Sequence, residues 1–421
     1  MKKICLILFA LVILNGCQET YCPLLGFHHS DSIQLCTNCQ SPNIHNVLPT
    51  KSLITYIQSN ANGQDTLMMR SLDKSILSDP IPIASGDNWF VNWADIPSVV
   101  SLDNTGKKLM AHWLQMSASG TYDYDIRCAT SNNGGKSWSE SFILHDDKVS
   151  AEHGFVTMTS TPKGAFITWL DGRNTKTTEP NSKTNDGHSP KGDHSHKTTL
   201  PMSLRAAWID SEGKKLNDAE IDKKVCDCCQ TDAIMTGSGP IIVYRDRSDD
   251  EVRDISIARY IDKTWEFKNL HKDNWTIAGC PVNGPAVDYN QGILAVAWYT
   301  QMNNMPKVFL IISRDDGATF GEPILIDDDD VMGRVDIAID DRKNVIVTWM
   351  KNDNESAFVN SRIYSVDFYP NLHDKQQLLS SKNERKVGFP IIEIMDQQLV
   401  MVRTVSQKNV LSIYLEKFEG P

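Results

Sequence analysis

A chain of 421 residues, 40% hydrophobic and 23% charged, is long enough to bury a substantial core. Its formal net charge of -11 excludes an extended nucleic-acid surface, because a phosphate backbone demands a basic partner. A local basic site for a small anion stays open.

The first element in chain order is residues 1–16. Lys2 and Lys3 precede an apolar run too short to span a bilayer as a mature helix, the pattern of a signal peptide. No later segment is apolar and long enough to cross a membrane. The sequence Leu14-Asn15-Gly16-Cys17 resembles the lipobox of bacterial lipoproteins. That resemblance implies cleavage before Cys17, lipidation of Cys17 and anchoring to a membrane; the alternative is an ordinary secretory signal that contains a cysteine. Gln18, where Asp retains lipoproteins at the inner membrane, implies the outer membrane, on its periplasmic or surface side. Export permits disulfides. Of ten cysteines, Cys5 leaves with the signal and Cys17 takes lipid, so an even set remains.

Residues 17–49 are polar, carry Cys22, Cys36 and Cys39, and read as a linker. From 50 to 421 an apolar strand ending in an aromatic recurs, at Trp113, Trp169, Tyr244, Trp298 and Trp349. A copy without the aromatic ends at Val402. The period is about 50–56 residues, except between Trp169 and Tyr244, where a polar insertion (175–199) intervenes. Such self-similarity with short strands means propeller blades. Six landmarks predict an all-β, six-bladed β-propeller of four-stranded antiparallel blades, with strands around 53–83 completing the last blade.

Two turns repeat as well, "TSNNGGKSW" at 130–138 and "ISRDDGATF" at 312–320. In each, Asn133 or Asp315 can bond its own turn, Gly135 or Gly317 takes a positive φ, and an aromatic packs beneath. These resemble the Asp-box (BNR) repeats of the sialidase superfamily, from about residue 50 to the end. The segments "CDCCQT", "YRDR" and "GCPVNGP" further resemble a group of bacterial Asp-box propeller lipoproteins. In that superfamily the Asp boxes occupy turns between the third and fourth strands of a blade, away from the ligand. The opposite face then carries the loops after each landmark and the approaches to each innermost strand.

On that face the sequence gathers candidates. Cys226 and Cys280 fall at equivalent places in adjacent blades, with Glu152, His153, Asp227, Gln230 and Asn283 near in register. The loops after Trp169 and Tyr244 add Asp171, Arg173, Arg245, Asp246, Arg247, Glu251 and Arg253; Arg334 stands nearby. Guanidinium forks bind carboxylate or sulfate, so Arg173, Arg245, Arg247, Arg253, Asn283 and Arg334 are the ligand-binding candidates. Asp95, Asp171, Asp246 and Glu251 are the catalytic ones. Sialidase chemistry uses an Arg-Ile-Pro arginine, two more arginines, a Tyr–Glu nucleophile and an Asp acid. Here the first motif reads Asp95-Ile96-Pro97, reversing the charge, and neither Tyr244 nor Tyr299 has an assignable Glu. Trp89 and Trp93 either pack or stack on a sugar.

The cysteines leave three readings open. Cys226 can bridge to Cys280, with Cys228 and Cys229 bonded to each other or to the amino-terminal cysteines. Cys226, Cys228, Cys229 and Cys280 can instead hold a soft metal, Cu or Zn. Or one is a reactive thiol activated by Arg245. Cys128 reads as a core residue. The expected function is an envelope propeller whose funnel binds a glycan or small anionic ligand, with glycoside hydrolysis one possibility; the alternative is a soft-metal-binding or non-catalytic assembly propeller.

Overall fold

The computed structural model describes residues 26–176, 200–353, 356–367 and 370–420. Seven antiparallel sheets of four or five strands succeed one another, so the expected six blades are corrected to seven. The missed blade is the first, built from Cys39–Leu48, Lys51–Ser59, Asp65–Asp73 and Ile81–Gly86. Its second strand, KSLITYIQS, buries its aromatic, Tyr56, in mid-strand and ends on Gln58 and Ser59. Tyr56 is the sixth residue of its strand, as Trp169, Trp298 and Trp349 are of theirs, so this strand carries the same landmark, and assigning 53–83 to the closing of the last blade is what hid a blade of its own. The linker boundary is corrected too: within 17–49, His28–Thr37 and Cys39–Leu48 are strands. The signal segment, Cys17, Cys22 and most of the insertion lie outside the described residues.

Blades 2 to 6 take their second strands from Leu109–Met116, Gly164–Asp171, Pro240–Arg245, Ile293–Met302 and Asn344–Asp353. These read as nearly continuous apolar runs because both faces are covered by neighbouring blades; eight successive residues from Ile293 are buried. The landmark aromatics anchor the packing. A buried indole N–H needs an acceptor, and Trp169, Trp298 and Trp349 donate to Asp171, Asp273 and Asp327 at 2.8, 2.7 and 2.9 Å. Tyr244 donates to Asp222 at 2.8 Å.

Blade 7 combines Ile391–Met395, Gln398–Gln407 and Val410–Glu419 with an outer strand from the other end of the described chain, His28–Thr37. The two ends of the described chain thus close the ring. A Cys36–Cys39 disulfide spans the corner where the chain passes from blade 7 into blade 1.

Adjacent blades are also stitched through their innermost strands. A carboxylate on one blade accepts a main-chain N–H from the next: Asp95 from Phe155, Asp232 from Val287, Asp288 from Ile339 and Asp336 from Ile392, at 2.7–2.8 Å. Glu393 of blade 7 makes a similar link to blade 1 by accepting the Asn46 side-chain amide at 2.7 Å. These groups surround an axial cavity of about 250 Å³.

Both repeated turns join third to fourth strands, in blades 2 and 5. They share one hydrogen-bond pattern. Ser131 and Ser313 accept from the N–H of Gly135 and Gly317 at 3.0 and 2.9 Å. Asn133 and Asp315 accept from the N–H of Ser137 and Thr319 at 3.0 and 2.8 Å. Antiparallel connectivity puts the loops after second and fourth strands at the opposite end, where the candidates lie.

Candidate functional site

The arginines singled out in the sequence are consumed by the protein itself. Arg245 is 1% exposed and donates only to main-chain carbonyls, those of Asn283, Arg253 and Tyr299. Arg334 is buried over Trp93, 4.9 Å from its ring, and donates to the Gly388 carbonyl at 2.8 Å. Arg173 forks onto Asp171. Arg247 pairs with Asp227 and Glu251, and Arg253 with Glu251. Asn283 ties Arg334 and Met332 to the approach of blade 5. Each therefore has a structural partner, and the six do not form one open clamp.

The catalytic candidates divide. Asp171 is fully buried, bound to Trp169 and Arg173; burial would raise its carboxyl, but the bonds from Arg173 and Trp169 and the His153 charge together hold it low. Glu251 is pulled down to about 2 by Arg247, then Arg253. Asp246 is raised by burial and the Asp222 charge, and accepts Ser256. Asp95 differs. Its Oδ2 accepts from the Phe155 N–H, while its Oδ1 is buried with no hydrogen-bond partner among the described residues. Burial, with the Glu152 charge adding, pushes it up to about 7 against that one N–H bond.

Beside Asp95 stands a pair absent from the catalytic candidates. Tyr124 opens the third strand of blade 2 and donates to Glu152 Oε1 at 2.9 Å, on the approach to blade 3. A main-chain bridge joins the same two residues. Glu152 is half-buried, and burial with the Asp227 charge raises its carboxyl to about 7. Tyr124 is raised well above its ordinary value by burial, then by Asp95 and Glu152. Its phenol stays protonated and acts as a donor. Gly154 permits the approach: a Cβ there would lie 2.1 Å from Asp95 Oδ2 and 3.0 Å from Tyr124 Cε2. Glu152 stood near the funnel in sequence register, but nothing in the spacing paired it with Tyr124, which belongs to another blade.

Behind the pair lies a buried network. His145 and His153 stack at 3.7 Å and both bond Asp147, at 2.6 and 2.9 Å. Burial opposes charge on His153, but the Asp147 bond and the Asp171 and Asp147 charges outweigh it and raise its pKa. The axial mouth is bordered by Ala94, Asp95, Phe155, Gln230, Gly284 and Phe389. Trp93 stacks on Phe389 at 5.9 Å, and Trp89 stacks on Trp113 at 5.5 Å.

The sulfur cluster sits next to this region, and its bonding differs from the expected pair. Cys280 bridges to Cys228, not Cys226, with Cα atoms 5.9 Å apart. The reason is local. Val225 pairs with Asp246 and the Cys226 N–H bonds the Arg245 carbonyl, so a turn over 226–229 directs Cys226 and Cys229 inward. Cys228 is left on the outside, facing blade 5. Cys226, Cys228 and Cys229 still group within metal-ligand reach, as do Asp125, His145 and His153. Cys128 is buried, its thiol pushed up by burial.

No protein-family model matches the chain, and no curated protein matches it. Solved structures share its fold. An ulvan lyase of polysaccharide lyase family PL25 is 11% identical with a TM-score of 0.51, over 91% of this chain and 95% of that one. The same lyase family has been solved bound to -[GlcA(1-4)Rha3S]- at 10% identity and a TM-score of 0.50, over 91% of this chain and 95% of that one. A Dyadobacter fermentans protein of unknown function is 10% identical with a TM-score of 0.50, over 94% of this chain and all of that one. Trypanosoma rangeli sialidase, 14% identical over 77% of this chain and 53% of its own, has a TM-score of 0.42, too distant to carry an argument. At these identities the likeness is one of fold, a β-propeller.

Proposed function

We propose that the face of blades 2 to 4 binds a glycan chain and acts on it by acid–base chemistry, with Glu152 and Asp95 as the working carboxyls. The observation that carries the reading is the Tyr124–Glu152 hydrogen bond beside Asp95, with both carboxyls raised to about 7. A carboxyl poised near neutrality gives and takes protons with little driving-force penalty. Glu152, half-exposed, would meet the substrate. Tyr124 is a positioning residue: it stays protonated and orients Glu152. Asp95 faces the axial cavity, whose wall there includes the apolar edges of Phe155 and Phe389. The shared fold of the PL25 lyase bound to a uronate-containing saccharide supports a glycan as the ligand class. In this reading the lipobox-like segment at Cys17 anchors the propeller to the outer membrane, where extracellular or periplasmic glycans are within reach.

The experiment is turnover of a panel of neutral, uronate-containing and sulfated polysaccharides, followed by absorbance of unsaturated ends for elimination and by reducing ends for hydrolysis. Glu152→Gln should lower kcat at least about 100-fold with little change in KM. Tyr124→Phe should shift the pH profile that Glu152 sets. Failure of the wild type to bind or cleave any member of the panel would sink the proposal.

A further inference from the structure

The glycan reading uses none of the sulfur on this face, and that sulfur has a geometry of its own. Cys226 and Cys229 are 1% and 2% exposed, unbridged among the described residues, and their Sγ atoms lie 3.0 Å apart. Arg253 Nη1 donates to Cys226 Sγ at 3.3 Å. Arg245 lies close, with every hydrogen bond spent on carbonyls and none on a carboxylate among the described residues, so its positive charge is free to favour a nearby thiolate. Outside the turn, the Cys228–Cys280 disulfide spans blades 4 and 5, with Cys280 exposed. The sulfurs of Cys226, Cys228 and Cys229 all lie within 4.8 Å of one another. A buried thiol pair, a cationic lining and a rim disulfide are thus in contact.

We propose that these four cysteines form a thiol–disulfide exchange site, in which the buried pair Cys226/Cys229 passes two electrons to the Cys228–Cys280 bond and presents Cys280 as a nucleophile to an external disulfide. In the first step the Cys226 thiolate attacks Cys228 Sγ; the Cys226–Cys228 bond forms, the Cys228–Cys280 bond breaks, and Cys280 leaves as a thiolate. Cys229 then attacks Cys226, its proton passing to the departing Cys228 sulfur within 4.8 Å. The Cys226–Cys229 bond forms, and Cys228 leaves as the thiol carrying that proton. No electron has entered or left: one dithiol–disulfide isomer has become the other. Cys280 next attacks an external disulfide and Cys228 resolves the mixed bond, releasing two external thiols and restoring Cys228–Cys280. A further round takes two electrons from an external dithiol.

The arrangement supports this direction. The thiolate is the attacking species, and Cys226 is the sulfur favoured to carry the charge: the bond to Cys229 lowers its pKa first, then Arg245 and Arg253, against burial. Cys229 is raised by burial and by that same bond, and keeps the proton. Burial protects the pair from direct oxidation, so exchange runs through the exposed sulfur of Cys280.

The test is thiol trapping on the full chain purified without reductant. Protein is exposed to iodoacetamide, or to oxidised glutathione as the disulfide probe, and its bridges are mapped by mass spectrometry with copper and zinc measured in parallel. Wild type should be labelled at Cys280 and yield Cys226–Cys229 bridged peptides. Cys226→Ser should slow Cys280 labelling at least about tenfold. Cys229→Ser should trap a Cys226–Cys228 bridge with Cys280 labelled, and it keeps the proposal testable if the first variant folds poorly. Both bridges already formed in the purified protein, Cys280 unlabelled in wild type, equal labelling in Cys226→Ser, or one equivalent of metal on the sulfurs would each overturn it. None of these outcomes depends on a glycan.

Discussion

At the scale of the residue, the informative contrast is between Arg245 and Glu152. The sequence marks Arg245 as a charge in a loop, where a ligand role is a natural expectation. It is instead among the largest fully buried side chains, holding three carbonyls from the loop of its own blade and from blade 5. It also stacks over Trp275 at 4.9 Å. Orphaned buried carbonyls cost roughly 1–3 kcal/mol each. Arg245→Met should therefore lower stability by roughly 3–5 kcal/mol in urea unfolding, and Arg245→Lys should recover only a minor part, because an ammonium lacks the planar fork. A loss below about 1 kcal/mol would mean that the carbonyls find other donors. Residue type was legible in the sequence, and so was the face. The partner was not, because a guanidinium bound to main chain carries no sequence signature, and neither does a phenol reaching a carboxylate from another blade.

At the scale of the element, most of the fold was legible. The strand landmarks located blades 2 to 7, since burial on both faces forces apolar runs, and in blades 3 to 6 these carry an aromatic bonded to a carboxylate. Blade 1 escaped because its inner strand, Cys39–Leu48, is a polar-looking CQSPNIHNVL that reads as linker, although Tyr56 stands sixth in its strand as Trp298 and Trp349 do in theirs. The inter-blade carboxylates escaped for the opposite reason: one acid in an apolar strand looks like an exposed alternation. The repeated turns were legible because their chemistry is local. Gly135 has φ +85°, and a Cβ there would lie 2.2 Å from Met69 Cε of the neighbouring blade. Gly135→Ala should cost about 1–3 kcal/mol through both backbone strain and that clash. Gly135 lies at the end remote from Glu152, so glycan turnover per folded molecule should be unchanged. A parallel fall in turnover would place the turn in communication with the site.

At the scale of the whole molecule, the axial carboxylates link ring closure to pH. Burial is the leading cause that raises Asp288 to about 6, Asp232 to about 7 and Asp336 to about 8, against the main-chain N–H bonds that each accepts. Glu393 is raised well above its ordinary value, again first by burial. An acid whose folded pKa exceeds its unfolded one binds more protons when folded. Its contribution is then complete at and below the ordinary carboxylate range, near pH 4, and is lost as pH rises through the folded value. Between pH 5 and 8 the ring should accordingly weaken as like charges gather about the axis. Other groups titrate in or near this window. His153, raised, acts in the same sense, whereas His45 and His112, lowered by burial to about 4 and about 3, favour folding as pH climbs toward 6.5. The wild-type curve alone mixes these signs. The difference between wild type and Asp336→Asn isolates one ionisation, because the amide cannot ionise, and the loss of one of the two N–H bonds from Ile392 and Ile337 is the same at both pH values. Thermal unfolding at pH 5 and pH 8 should show the variant losing less Tm than wild type across that interval. Equal losses would mean that Asp336 is already ionised at pH 5, and that the ring is held by its N–H bonds without a shared proton load.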